Sequence, residues 1–172
     1  RRAVQISRKR PDVSVKPVRG NIETRINKVI DDKFDAVVLA HAGISRLDLD
    51  VKYSILSTAD FPPSPGQGAL AIVCRAEDDK TITMLKKIED KKSRAEIEAE
   101  RTLSEYVESG CRFPVGALAV ADSGVLKLTV TAYSVDGKIS IKLEKTGDVD
   151  KPKNLGQELS LIHISEPTRL GM

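Results

Sequence analysis

Aromatic residues make up only 3% of the 172-residue chain, and cysteine and histidine occur twice each. Cys74 and Cys111 have no CxxC spacing, and His41 and His163 add too few ligands for a zinc site, so metal binding and a disulfide framework are both excluded as expectations. No apolar run approaches the roughly 18 residues that a membrane-spanning helix needs, and the N-terminus lacks the apolar centre of a signal peptide. These absences predict a soluble, unsecreted, cytoplasmic protein. The chain also lacks an initiator methionine; it opens directly on Arg1-Arg2 and reads as a fragment.

What is present is 40% hydrophobic and 31% charged residues, enough for an ordinary core in one domain or two small ones. The net charge of +3 is unevenly placed: residues 1–28 hold nine Lys/Arg against two acids, a local +7, which leaves the remainder at −4. The cluster comprises Arg1, Arg2, Arg8, Lys9, Arg10, Lys16, Arg19 and Arg25. A run of this kind is most simply a solvated face. Arginine dominates it, however, and the planar guanidinium matches a carboxylate or phosphate with two parallel hydrogen bonds. Nucleic-acid binding is disfavoured, because no aromatics interleave with the cations, no recognition motif follows and the rest of the chain is acidic.

Along the chain, residues 13–18 alternate apolar and polar as a short strand, and Asn21 caps a helix with Ile22, Ile26, Val29 and Ile30 on one face. Residues 35–40 form an apolar run of the kind buried on both faces of a parallel sheet. Strand, helix and strand within about 30 residues predict a βαβ unit, whose ligand-binding strand ends carry Arg19-Gly20-Asn21 and His41-Ala42-Gly43. Arg19 is the strongest single candidate, since it precedes a helix N-terminus where backbone N–H groups also attract anions.

The Pro/Gly-rich residues 61–68 read as a crossover between domains, followed by a buried strand from Ala69 to Val73 and by helical spacing of Ile82, Leu85 and Ile88. Ser93 and Glu96 form a capping box that opens a helix with the stripe Ala95, Ala99, Leu103 and Tyr106, stopped at Gly110. From residue 115 the period changes to two, predicting a three-strand antiparallel meander over 115–121, 125–133 and 138–145. The fold class is therefore α/β followed by a small α+β domain.

A lone cysteine is commonly a small buried hydrophobe, which suits Cys74 in its apolar run. Cys111 stands in a glycine-containing turn beside Arg112, a cation that favours the nucleophilic thiolate; the residues alone leave both a structural and a reactive role open for it.

Five motifs occur in order: Arg1-Arg2; Arg19-Gly20-Asn21 with Thr24-Arg25; Leu39-Ala40-His41-Ala42-Gly43-Ile44-Ser45-Arg46-Leu47; Pro65-Gly66-Gln67-Gly68-Ala69; and Gly110-Cys111 with Pro114-Val115-Gly116. Together, over residues 1 to about 160, they resemble the porphobilinogen deaminase (hydroxymethylbilane synthase) family. The resemblance implies a transferase of tetrapyrrole biosynthesis that joins four porphobilinogen molecules head to tail with loss of ammonia. It implies a dipyrromethane cofactor on Cys111 through a thioether, with Arg1, Arg2, Arg19, Arg25 and Arg46 binding carboxylates and Gly68 in the cofactor site. It further implies a monomer, with neither nucleic acid nor membrane as partner.

By the same resemblance, residues 1–64 are the later part of a second domain built like a periplasmic binding protein, with a parallel sheet. Residues 65–92 are the crossover, the return strand, which the resemblance extends to 69–76, and the hinge, and 93–160 are the cofactor-carrying α+β domain. The family's catalytic aspartate, in its N-terminal domain, has no counterpart here, so no catalytic residue is assigned and the chain alone is expected not to turn over. The strand over 69–76 would lack its sheet and expose apolar surface. Residues 161–172 fit nothing in the family and are expected to be a non-native tail, which removes His163 from functional argument. The alternative is a non-catalytic anion-binding module of periplasmic-binding type, in which Cys111 is merely structural.

Overall fold

The computed structural model describes residues 1–108 and 114–164, which fall into two compact units, Arg1–Phe61 and a second that starts at Pro62. Cys111 and the expected helix stop at Gly110 lie outside the described residues.

The first unit holds helices α1 (Arg2–Lys9), α2 (Ile22–Ile30) and α3 (His41–Arg46). Helix α1 was not expected; its last turn carries Arg8 and Lys9, which favour the negative end of the helix dipole. Helix α2 forms where its apolar spacing predicts it, and Asn21 Oδ1 accepts the Thr24 N–H at 2.7 Å as the N-cap. The strands predicted over 13–18 and 35–40 do not form: neither segment joins a ladder, and Val13, Val15 and Val38 are exposed. The βαβ unit and the parallel sheet segment are corrected accordingly. Two such segments could give each other only one parallel pairing, and a pair without flanking strands buries too little surface to stand alone in water. Burial in this unit is confined to Gln5 and Ile44.

The second unit is built on one sheet of three antiparallel strands in the order β1 (Val115–Asp122), β2 (Val125–Tyr133) and β3 (Ser140–Asp148). The α+β expectation and the meander hold here, with the third strand shifted toward the C-terminus. Ser123 and Gly124 both have positive φ, 48° and 84°, the geometry of a type I′ turn that matches strand twist. Alternation sends Ala117, Ala119 and Ala121 of β1 and Leu126, Leu128 and Val130 of β2 into the core, in facing pairs Ala117–Val130, Ala119–Leu128 and Ala121–Leu126.

Helices α4 (Asp79–Leu85), α5 (Lys91–Glu108) and α6 (Pro152–Ile164) complete this unit. Helix α5 covers the core face with Ala99, Leu103 and Val107, and α6 with Leu155 and Leu159. The stripe on α5 thus runs to Val107, whereas Tyr106 is exposed. Ser93 is not the cap: Asp90 Oδ1 accepts the Ser93 N–H at 2.6 Å, and α5 starts at Lys91. That earlier start releases Glu96 from the expected capping box, and its carboxylate accepts the Ala121 N–H at 2.9 Å instead. Helix α4 ends at Leu85, leaving Ile88 exposed beyond it.

The strand predicted over 69–76 is absent. Leu70 is 76% and Val73 90% exposed, in keeping with a strand sequence that has no sheet to join, and Cys74 is exposed rather than buried as expected. No helix among the described residues is long and apolar enough to cross a membrane.

Candidate functional site

The turn before α2 gathers the most organised part of the basic segment. Gly20 adopts φ +121°, a conformation strained for other residues, and a Cβ there would lie 2.7 Å from the Thr24 methyl. The Arg25 Nε donates to the Gly20 carbonyl at 2.7 Å and the Lys28 Nζ to the Arg19 carbonyl at 3.2 Å. Two cations from α2 are thereby held at the helix's own N-terminal side by the backbone of residues 19 and 20, and the Arg19 side chain is exposed.

The cations of this unit divide by partner. Lys9 pairs with Asp60 and Arg10 with Asp12, the latter through both Nε and Nη2. Arg2, Arg19, Arg25 and Arg46 make no ion pair among the described residues, so their charges are not neutralised by the protein itself. Arg2 opens α1 and Arg46 closes α3, and neither is hydrogen-bonded to the turn before α2. Arg1 is half-buried ahead of α1. This donor set suits an anionic ligand, carboxylate or phosphate, which guanidinium groups bind with charge-assisted, paired hydrogen bonds.

Gly68 belongs to the second unit, in the turn over residues 65–68. Gly66 and Gly68 have φ +72° and +102°, and a Cβ at Gly68 would meet nothing within 4 Å. Gly68 is therefore required by backbone conformation and sits on open surface. Cys111, the expected anchor, falls outside the described residues.

Sequence reasoning missed the carboxylate that organises this turn. Glu100 on α5 is only 4% exposed; its Oε2 accepts the Gly66 N–H at 2.6 Å and its Oε1 the Ala119 N–H at 2.8 Å. Burial pushes its carboxyl above the usual range, against the pull of the two N–H donors, and the nearby Glu96 adds to the rise. The signal was present in Glu96 and Glu100, one helical turn apart beside Ala95 and Ala99 of the apolar stripe. His41 Nε2 lies 3.1 Å from the Tyr53 hydroxyl, with the rings tilted at 47°. Among the described residues no group of three His, Cys, Asp or Glu converges as for a metal ion.

On the exposed face of the sheet, Glu144 is held between Lys127 at 2.9 Å and Lys142 at 3.3 Å, and these cations lower its carboxyl to about 2. Because the native state holds this group ionised below the ordinary carboxylate range, its contribution to stability is present above about pH 4.5. It is lost as pH falls through about 2. Glu144→Gln should therefore lower the melting temperature at pH 6 and converge on the parent toward pH 2, with a smaller gap in high salt because the pair is exposed. Equal gaps at both pH values in thermal melts would contradict this.

Residues 1–83 match the family model described as "Porphobilinogen deaminase, dipyromethane cofactor binding domain", and residues 94–162 match "Porphobilinogen deaminase, C-terminal domain". A "Probable porphobilinogen deaminase" of Nitrosopumilus maritimus (strain SCM1) is 68% identical over 157 residues, covering 91% of this chain and 50% of that protein. A "Porphobilinogen deaminase" of Desulforudis audaxviator (strain MP104C) is 41% identical over 162 residues, covering 94% and 52%. Another, of Sorangium cellulosum (strain So ce56), is 41% identical over 164 residues, covering 92% and 55%. The chain spans about half the length of the curated relatives it matches. None of these matches supports the alternative of a non-catalytic anion-binding module. With two consecutive domains of one family matched in order, the chain belongs to the porphobilinogen deaminase family.

Proposed function

We propose that this chain forms the cofactor-holding half of a transferase of tetrapyrrole biosynthesis, which condenses porphobilinogen head to tail with release of ammonia to give hydroxymethylbilane. The observation that carries the reading is the match of residues 1–83 and 94–162 to the cofactor-binding and C-terminal domains of one family. The ionic character of the first unit supports it: guanidinium groups without ion pairs at Arg2, Arg19, Arg25 and Arg46 suit the acetate and propionate groups of a dipyrromethane. The family resemblance assigns Arg1 and Gly68 to the cofactor as well, and the covalent link to the Cys111 sulfur. When bound, the dipyrromethane supplies the pyrrole end from which the product chain is extended. Residues 1–64 are then part of a domain of periplasmic-binding type, 65–92 the return crossover and hinge, and 93–160 the domain bearing Cys111. The working protein is a cytoplasmic monomer with no nucleic-acid or membrane partner.

In this role the arginines bind and orient carboxylates. Arg19, exposed before a capped helix, holds one such group with its guanidinium fork, while the α2 N-terminal N–H groups add favourable field. Arg19→Leu should slow cofactor assembly or chain elongation by about tenfold or more, the scale of one lost charge-assisted hydrogen-bonded pair. The far-ultraviolet circular dichroism should stay unchanged, since the side chain is not part of a core; loss of helical signal would contradict the assignment.

The test of the proposal is a chimera in which this chain replaces the matching half of the Nitrosopumilus maritimus relative. Porphobilinogen consumption with stoichiometric ammonia release is expected; a folded chimera that leaves porphobilinogen untouched would overturn the reading.

A further inference from the structure

We propose that Glu100 is the positioning residue of the cofactor-site turn: its carboxylate fixes residues 62–68, and with them Gly66 and Gly68, on the open edge of β1. Ala117, Ala119 and Ala121 point their N–H groups away from β2, and each finds an acceptor from outside the sheet. These acceptors are the Pro63 carbonyl at 2.9 Å, Glu100 Oε1 at 2.8 Å and Glu96 Oε1 at 2.9 Å. Glu100 differs from the other two because its second oxygen reaches across to the Gly66 N–H at 2.6 Å. One carboxylate thus ties the turn to the strand.

The composition of the segment explains why a side chain is needed. Residues 62, 63 and 65 are prolines without an N–H, so the chain cannot continue as a fourth strand along β1. Pro62 is buried against Gly116, where a Cβ would lie 2.9 Å from the Pro62 ring and carbonyl. Beyond the Pro63 carbonyl the segment leaves the edge, and Gly66 at φ +72° turns its N–H back toward α5. Glu100 meets it there. The edge is covered at the same time, which protects an otherwise open row of donors from pairing with another chain.

The charged surroundings are sparse. On α5 they are Glu96, whose charge opposes that of Glu100, and Arg101, whose Cγ lies 4.0 Å from where a Gly66 Cβ would stand. Residues 62–68 hold no ionisable side chain, and β1 holds only Asp122, at its far end. The two amides bonded to Glu100 should therefore report its ionisation together. The inference takes Gly68 as part of the cofactor site from the proposed function, but its test does not use a cofactor.

The experiment is a pH titration of the ¹⁵N-labelled 172-residue chain by NMR, with amide exchange measured alongside. The Gly66 and Ala119 amides should shift with one shared midpoint, displaced upward from that of an ordinary glutamate. Glu96→Gln removes the opposing charge and should move that midpoint down while Gly66 stays protected. Glu100→Gln should abolish the shared titration and speed Gly66 exchange by about tenfold or more, as expected for one buried hydrogen bond lost. Leu126 and Leu128 should keep their protection. Separate midpoints for the two amides in the parent, or a Gly66 amide as protected in Glu100→Gln as before, would overturn the proposal. Should Glu100→Gln fail to fold, the shared midpoint and its displacement by Glu96→Gln still decide. Failure of this test leaves the cofactor reading standing, whereas failure of the chimera overturns that reading and leaves the amide result intact.

Discussion

Gly156→Leu is expected to unfold the second unit, and Gly156→Ala to destabilise it by about 1–3 kcal/mol, the range of overpacking in a close-packed interior. Gly156 lies in α6 where that helix crosses α5, and a Cβ there would stand 2.5 Å from the Ala99 carbonyl oxygen, 2.9 Å from Thr102 Cβ and 3.1 Å from the Leu103 N. None of these atoms is the far end of a flexible side chain, so relief requires the helices to separate. Separation opens the core that Ala99, Leu103, Leu155 and Leu159 share. The sign of the result is informative. Helix propensity alone favours alanine over glycine by about 1 kcal/mol within a helix, so an account without the close crossing predicts that Gly156→Ala stabilises. Denaturant unfolding of the two variants distinguishes the accounts: a raised midpoint for Gly156→Ala would show that the helices are not in contact at this point.

The C-terminal meander was legible because each of its determinants is local. Alternation over Val125–Tyr133 needs only a sheet with one buried face, and Ser123-Gly124 specifies a two-residue turn by itself. The third strand runs later than expected and continues through Gly147, a core-face position where the Leu155 side chain lies 3.3 Å from where a Cβ would stand. Segments 13–18, 35–40 and 69–76 read as strands and are not, since strand formation depends on neighbours that a pattern of apolar residues cannot supply. The start of α5 was ambiguous for a different reason. Asp90 and Ser93 are both capping residues, three apart, and Asp90-Lys91-Lys92-Ser93-Arg94-Ala95-Glu96 can be read as a helix that opens at either. The choice between them decided whether Glu96 was a cap or an acceptor for β1.

The site was legible in its residue types more than in its supports. A localised excess of arginine pointed to an anionic ligand, and the structure leaves Arg2, Arg19 and Arg25 of that cluster without an ion pair among the described residues. Glu100 escaped notice because an acid within an apolar stripe reads as a solvated flank until the backbone donors that it meets, on residues 66 and 119, are brought to it by the fold.

Cys111→Ser is expected to cause the largest functional loss, a complete one. A thioether requires the cysteine sulfur as nucleophile; a serine hydroxyl is far less acidic and does not form the equivalent link at neutral pH. The arginines would still bind carboxylates, so the variant should retain pyrroles only by reversible contacts that denaturation removes. Intact-mass spectrometry of the chimera under denaturing conditions, after exposure to porphobilinogen or to preformed hydroxymethylbilane, tests this most directly. The account predicts a covalent mass increase equal to two linked pyrrole units, located on the peptide containing Cys111 and absent from Cys111→Ser. A folded chimera with no added mass at Cys111, or an equal addition in Cys111→Ser, would contradict it.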